Sequence, residues 1–180
     1  DTFFLYLYLH TAPVKDSAYF LPHDIHSRNM ASALETSIDI PTLTQMFQKL
    51  QGATVFVAWD IWQGRFSEGK LPLLTPTQES WYKCTWGQSL PTPSFTVSQV
   101  TELYACSPAQ QSYPQAQGQP GYFAHYLAKG LQGGNITTRS LTDFVIKEVT
   151  SGVQQKEGRQ QVPYVRVTGS PSDSVLVGKR

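Results

Sequence analysis

The sequence predicts an α/β domain in which a mostly parallel sheet is flanked by helices. The apolar run at residues 55–59 is followed by a turn from Asp60 to Gly64, a pattern typical of a buried central strand in a parallel sheet. A second apolar run, at residues 2–9, comes earlier in the chain, and a stripe of apolar residues at helical spacing separates the two runs. Strand, helix and strand joined by short connections form a parallel crossover unit, on which the predicted fold is built.

The elements of the first part of the chain follow from this unit. The first strand is predicted to end at His10, because Pro13 cannot donate a hydrogen bond to a neighbouring strand. A short strand follows at residues 18–21. Pro41 suits the first turn of the crossover helix, whose apolar stripe consists of Leu43, Met46, Phe47 and Leu50. Because the carboxyl ends of parallel strands meet at one edge of a sheet, His10 and Trp62 are predicted to lie at the same edge.

Beyond the crossover unit, the sequence predicts a long loop and a further strand. Residues 65–96 are rich in Pro, Thr, Ser and Gly, and the stretch is longer than most connections between elements. Residues 97–105 are strand-like, although their polar members leave the register of this strand open. A second loop, over residues 107–120, is expected at the same edge of the sheet as His10.

Two amphipathic helices and two strands complete the predicted fold. Phe123 opens the apolar stripe of one helix and Leu141 that of the other, with Thr138 or Ser140 available as the N-cap of the latter. The polar stretch at residues 153–161 is predicted to be exposed. The final strands are predicted at residues 162–167 and 174–177.

Composition restricts the class of function. The chain has 180 residues, of which 40% are hydrophobic, so it can bury one core and is predicted to be a single domain. Fourteen basic and thirteen acidic residues give a net charge of +1 without any block of like charge, which argues against a nucleic-acid partner. The apolar stretch at residues 3–9 is too short to span a membrane. Cys84 and Cys106 lack metal-ligand spacing and suggest a reducing compartment, so no metal or other cofactor is expected and a cytoplasmic localisation is predicted.

The spacing of His10, Asp60 and Trp62 resembles that of the caspase-like cysteine peptidases. In that family a His precedes, by about 50 residues, the nucleophilic Cys of a Gln-Ala-Cys-x-Gly type turn. Here His10 precedes Trp62 by 52 positions, and Asp60-Ile61-Trp62-Gln63-Gly64 is similar to the Asp-Ala-Cys-x-x-Gly turn of metacaspases and orthocaspases. Three further segments resemble motifs of these proteins in the same order along the chain: residues 19–24, 103–112 and 121–127.

The resemblance implies a three-layer caspase-hemoglobinase fold, with residues 1–180 forming one domain. It implies that residues 1–64 hold the His strand, the crossover helix and the strand of the nucleophile position, that residues 65–96 form a long loop, and that residues 97–180 are similar to the small subunit. The N-terminal strands of the family are then not expected in this chain. The resemblance also implies a pocket built from the matching residues: Asp24, Asp60, Gly64, Cys106, Ser107, Gln110 and Ser112.

Trp62 occupies the position of the family's nucleophilic Cys, and this decides the predicted function. An indole has no basic lone pair and no acidity near neutral pH, so it cannot attack a carbonyl, and its bulk would fill the catalytic hollow. His10 is then the retained His of a lost dyad. In metacaspases acidic residues near the pocket bind Arg or Lys, but residues 106–113 contain no Asp or Glu, so a basic-residue pocket is not expected. The prediction is a catalytically inactive pseudo-peptidase that binds or regulates a protein or peptide partner, such as an active relative.

Two alternatives remain open from the sequence. The first is an active cysteine endopeptidase of the same family, with Cys106 as the nucleophile instead of the residue at position 62. The second is an unrelated α/β domain that binds a small ligand at the same strand ends, in which case Trp62 is a core aromatic residue. The second alternative lacks a Gly-rich phosphate loop that would indicate a nucleotide.

Overall fold

A computed structural model gives the fold. It describes residues 2–14, 17–21, 35–50, 54–61, 95, 97, 99–107, 110, 112–115, 119–169 and 173–177. The strands are β1 (Thr2–Val14), β2 (Ser17–Leu21), β3 (Ile38–Asp39), β4 (Thr54–Ile61), β5 (Gln99–Tyr104), β6 (Ile136–Thr137), β7 (Tyr164–Gly169) and β8 (Val175–Val177). The helices are α1 (Ile40–Gln48), α2 (Tyr122–Leu131) and α3 (Thr138–Glu157). Within these ranges no helix has the length and apolar character that crossing a membrane requires.

The central sheet has six strands in the order β3-β2-β1-β4-β5-β7. Its three middle strands run parallel, with Tyr8 of β1 opposite Asp60 of β4, and Trp59 of β4 opposite Tyr104 of β5. The strands outside them are antiparallel to their neighbours. The predicted crossover unit is therefore confirmed: β1 and β4 are parallel neighbours, and α1 lies between them in the chain.

Helices cover both faces of this sheet, and successive side chains of β4 point alternately into the two cores that result. Val55, Val57 and Trp59 pack in one core with the apolar residues of α1. Phe56 and Ala58 pack in the other core with the apolar residues of α2 and α3. This alternation is the period of two that an extended strand imposes. The protein is thus an α/β domain with a sheet between helical layers.

A buried acid lies in the core on the α1 side. Glu102 of β5 is fully buried, and its Oε1 accepts hydrogen bonds from the indole N–H of Trp59 at 3.2 Å and the hydroxyl of Tyr104 at 2.9 Å. Its Oε2 accepts from the guanidinium of Arg166 on β7. The polar residues Gln99, Thr101 and Glu102, which left the register of β5 open, are thus buried in this strand, and Glu102 is compensated there by three donors.

The first strand continues past the predicted end. Parallel pairing with β4 stops at Leu9, but residues 10–14 pair antiparallel with β2, and Pro13 lies opposite Ala18. The prediction that Pro13 ends the strand is therefore wrong. A proline is tolerated because this part of β1 has a partner strand on one side only among the described residues.

The structure differs from the predictions for the helices and their flanking residues in three respects. Met46 is 52% exposed, so the buried stripe of α1 consists of other residues, including Leu43 and Phe47. The N-cap of α3 is Thr137 rather than Thr138 or Ser140, although Ser140 completes a capping box with it. Finally, α3 extends to Glu157, and Gln161 beyond it is fully buried, so the stretch at residues 153–161 is not uniformly exposed.

Candidate functional site

A cavity of about 430 Å³ lies at the carboxyl ends of the parallel strands, on the face that α2 covers. Tyr6 and Tyr8 of β1 and Asp60 of β4 line it from the sheet. Ser112, in the segment after β5, and Gly121, at the start of α2, line it from the other elements. Proteins built on parallel strands bind ligands at this position, so the cavity is the candidate site.

The register of the sheet brings its polar groups together. Tyr8 lies opposite Asp60, and Tyr6 lies opposite Ala58, two residues earlier on β4. Residues two apart on a strand, and residues opposite each other on neighbouring strands, project from the same face of a sheet. The Tyr6 hydroxyl accordingly reaches the Asp60 carboxylate and donates a hydrogen bond to Oδ2 at 2.8 Å.

Asp60 is the acid of the cavity and is only 2% exposed. Its second oxygen, Oδ1, accepts a hydrogen bond from the Ser112 hydroxyl at 3.3 Å. Burial raises the pKa of Asp60 to about 6, and the two hydroxyl donors, from Tyr6 and then Ser112, oppose this rise because they stabilise the ionised form. A carboxylate has about four acceptor positions, so two donors leave Asp60 with capacity for a ligand.

The two tyrosines of β1 remain protonated beside this acid. The pKa of Tyr6 is raised far above its usual range, first by burial and then by the negative charge of Asp60 and the hydrogen bond to it. The pKa of Tyr8 is raised by burial and by the charge of Asp60. Both phenols are therefore neutral at physiological pH, which leaves Asp60 as the acid of the cavity that titrates near neutrality.

Cys106 is not among the residues that line the cavity, and it has the properties of a structural thiol. Its Sγ donates to the backbone carbonyl of Gln110 at 3.5 Å. Burial, with a further contribution from the charge of Asp60, raises the pKa of the Cys106 thiol to about 12. A thiol must ionise before it can act as a nucleophile, so this environment argues against the alternative in which Cys106 is catalytic.

Side-chain hydrogen bonds join the segment after β5 to the segment before β7. Ser107 donates to the carbonyl of Val162 at 2.7 Å, and the Gln110 side chain accepts from the N–H of Val162 at 2.6 Å. Gln161 contacts the same segment through its own side-chain amide. These contacts fix the chain that carries Ser112 into the cavity.

The structure brings together part of the predicted site. Asp60 and Ser112 line the cavity, whereas Ser107 and Gln110 hold the adjacent segment. His10 lies within β1, one residue past the last parallel pair, rather than at the end of the strand. Three of the predicted positions lie outside the described residues: Asp24, Trp62 and Gly64.

The carboxylate of the cavity is that of Asp60 on β4, one of the pocket residues that the resemblance implied. It does not come from residues 106–113, which contain no Asp or Glu. The contributions of Tyr6 and Tyr8 were missed, although an alternating pattern of aromatic residues beside the strand that carries Asp60 was a usable signal.

A second cavity, of about 380 Å³, lies beside the N-terminus of α3. Asp173 lines it and accepts hydrogen bonds from the Arg139 N–H at 3.0 Å and the Thr138 hydroxyl at 3.4 Å. These contacts satisfy the end of the helix, which gives Asp173 a capping role. Among the described residues, no cluster of three or more His, Cys, Asp or Glu side chains is placed to hold a metal ion.

Comparison with known proteins places this chain by fold. No protein-family model matches the sequence, and no curated protein matches it. The crystal structure of protein GSU0716 from Geobacter sulfurreducens is similar, with a TM-score of 0.52 and 15% sequence identity, over 96% of this chain and 68% of that chain. At this identity the similarity concerns the fold alone. Fold and cavity together define an α/β domain with a cavity at the carboxyl ends of its parallel strands.

Proposed function

We propose that this protein is a non-catalytic caspase-like domain that binds a polypeptide partner, with a cationic side chain of that partner held by Asp60. The observation that carries the proposal is the buried Asp60 carboxylate in an open cavity at the carboxyl ends of the parallel strands. A carboxylate in such a place is costly unless a counter-charge or donors compensate it. Two neutral hydroxyls do so only in part, because the pKa of Asp60 remains raised to about 6.

The lining of the cavity favours an organic cation over an anion. Tyr6 and Tyr8 lie beside the carboxylate, and aromatic rings attract ammonium and guanidinium groups through their π faces. Tyr113, also in the lining, already carries the guanidinium of Arg159 over its ring at 5.4 Å. A Lys or Arg side chain of a bound segment has the charge and the apolar stem that this lining suits.

The resemblance to caspase-like proteins supports a polypeptide as the partner. The strand that carries His10 and the strand that leads to Trp62 are parallel neighbours, and their last pair is Leu9 with Ile61. This is the relation that the resemblance requires of the two catalytic positions. Trp62 supplies no nucleophile and the Cys106 thiol has a raised pKa, which favours binding over peptide hydrolysis.

A peptide-binding assay tests the proposal. Fluorescence anisotropy is measured with labelled peptides that differ at one position, which is Arg, Lys, norleucine or Glu. The wild-type protein is expected to bind the Arg and Lys peptides, with affinity rising as pH increases through about 6, because the carboxylate form of Asp60 is the binding form. Asp60→Asn is expected to lose this preference, whereas Asp143→Asn, which removes an exposed carboxylate from α3, is the matched control.

Two outcomes would contradict the proposal. The first is a cation preference that survives in Asp60→Asn, which would place the recognition elsewhere. The second is peptide turnover: incubation with Arg-, Lys- and Asp-type substrates, followed by loss of cleavage in His10→Ala, would identify an active peptidase instead. Loss of turnover in Cys106→Ser would further assign the nucleophile.

A further inference from the structure

Gln161 is a buried polar residue that lies between α3 and β7 and does not line the cavity. Its side chain is fully buried and makes three hydrogen bonds. Oε1 accepts from the backbone N–H of Tyr113 at 2.8 Å, and Nε2 donates to the backbone carbonyl of Ala105 at 2.9 Å. The third bond joins Nε2 to the hydroxyl oxygen of Ser112 at 3.3 Å.

The backbone partners fix the orientation of this amide. An N–H group requires an acceptor and a carbonyl requires a donor. If the amide of Gln161 were rotated by 180°, its oxygen would face the Ala105 carbonyl and its nitrogen would face the Tyr113 N–H. Both contacts would then be repulsive, so Nε2 must be the atom that faces Ser112.

The orientation of Gln161 determines the direction of the Ser112 hydroxyl. Because Nε2 has only hydrogens to offer, the Ser112 oxygen accepts from it and directs its own hydrogen elsewhere. The Asp60 carboxylate is the acceptor at 3.3 Å. A chain of donors thus runs from Gln161 through Ser112 to Asp60, and each hydrogen bond in such a chain polarises the next.

We infer that Gln161 is a positioning residue for the cavity, which holds the Ser112 hydroxyl as a donor to Asp60 and thereby adjusts how strongly that carboxylate attracts a cationic ligand. The effect on ligand binding rests on the proposed function. The hydrogen-bond chain does not, because it concerns the protein without a ligand. Gln161 touches no ligand position itself and acts through Ser112.

The other titratable groups around Asp60 lie on β1, after β5 and on α2. Tyr6 and Tyr8 on β1 and Cys106 after β5 interact with its charge, and the raised pKa of each keeps it neutral near pH 6. On α2, His125 is exposed and packs against the ring of Tyr126 at 5.0 Å.

The test is an NMR titration of the Asp60 side-chain carboxyl carbon in the protein without ligand. Ser112→Ala is expected to raise the midpoint of Asp60 by about one pH unit, since a hydrogen bond to a charged group contributes about that much. Gln161→Met, which keeps the size of the side chain, is expected to raise the midpoint measurably, by an amount up to that of Ser112→Ala. In the Ser112→Ala background, Gln161→Met should add no further shift, because its effect passes through the missing hydroxyl.

Two controls separate positioning from a general loss of structure. Gln110→Met removes a hydrogen bond between the same two segments, the one from the Val162 N–H to the Gln110 side chain, but not the hydrogen bonds of Ser112. It should shift the Asp60 midpoint less than Gln161→Met does, because the other hydrogen bonds between the two segments remain. Ser112→Thr retains a hydroxyl and should keep the midpoint near the wild-type value. If Gln161→Met does not fold, the Gln161 amide protons of the wild-type protein are observed instead, and they should follow the Asp60 titration and cease to do so in Ser112→Ala.

The inference is overturned if Gln161→Met leaves the Asp60 midpoint unchanged or lowers it, if it shifts the midpoint equally with and without the Ser112 hydroxyl, or if Gln110→Met has the same effect. It is also overturned if the Gln161 amide protons in the wild-type protein do not respond to Asp60. These results leave the proposed function untouched, since peptide binding is measured separately. Conversely, absence of peptide binding with an intact midpoint pattern refutes the proposed function alone.

Discussion

Replacing Asp60 with Asn should stabilise the folded protein at neutral pH. The pKa of Asp60 is raised from 3.8 to about 6 in the folded protein, chiefly by burial. A group whose folded-state pKa is raised favours the folded state only while it is protonated, so its contribution is lost as pH rises through about 6. The difference of about two units corresponds to about 3 kcal/mol, by which ionised Asp60 disfavours the folded state above pH 7.

The expected gain from Asp60→Asn is smaller than this limit. The amide keeps one acceptor oxygen for either Tyr6 or Ser112, but its NH₂ group faces the other hydroxyl, which costs about 1 kcal/mol. We therefore expect Asp60→Asn to be more stable than the wild type by about 1–2 kcal/mol above pH 7. The advantage should disappear below about pH 4, where Asp60 is protonated in both the folded and the unfolded states.

Urea unfolding at a series of pH values from 4 to 8 measures this difference directly. Subtracting wild type from variant at each pH removes the contributions of the other titrating groups. A stability difference that does not change with pH, or a variant that is less stable than wild type at pH 8, would refute the account of Asp60 as a buried and incompletely compensated acid. A variant that is more stable yet binds no cation would show that stability is given up for binding at this position.

Two further predictions concern the other buried groups. Glu102→Ala should lower the free energy of unfolding by about 3–5 kcal/mol, because the Arg166 guanidinium and two neutral donors lose a fully buried acceptor. Glu102→Gln should lower it by less. Urea unfolding measures both variants, and a loss below about 1 kcal/mol for Glu102→Ala would contradict this prediction. Cys106 should react with iodoacetamide at pH 7 far more slowly than an exposed cysteine, since its thiol pKa is raised to about 12. Mass spectrometry of a Cys84→Ser variant isolates this reaction, and rapid labelling of Cys106 would show that its thiol is ionised and open to solvent.

The architecture was predictable from the sequence because it depends on the periodicity of apolar residues. The apolar runs predicted β1 and β4, and the apolar residues at helical spacing predicted α1. The composition of a strand covered on both faces was a correct sign for β4 but not for β1, where Tyr8 is 54% exposed. The parallel direction of β1 and β4 was then also predictable, since two neighbouring strands connected through a helix run parallel. Pro13 was misjudged because a local rule ignores whether a strand has one neighbour or two.

The site was less predictable because it depends on contacts between distant residues. Asp60 and Ser112 were identified through a resemblance, but their hydrogen bond joins residues 52 positions apart, and no local pattern indicates it. Gln161 was assigned to an exposed polar stretch, although its side chain is fully buried. A glutamine that satisfies buried backbone groups cannot be told by sequence from one on the surface, because hydropathy alone places both outside.

The arrangement of the cavity lining along the chain has a consequence for folding. Tyr6, Asp60 and Ser112 are joined by hydrogen bonds that close loops of 54 and 52 residues, and Gln161 closes a further one of 49 residues to Ser112. Closing long loops slows folding, because chain entropy is lost before the contacts are gained. We therefore expect the cavity to be among the last parts of the molecule to form, after the helices, so that the proposed binding site is complete only when folding is complete.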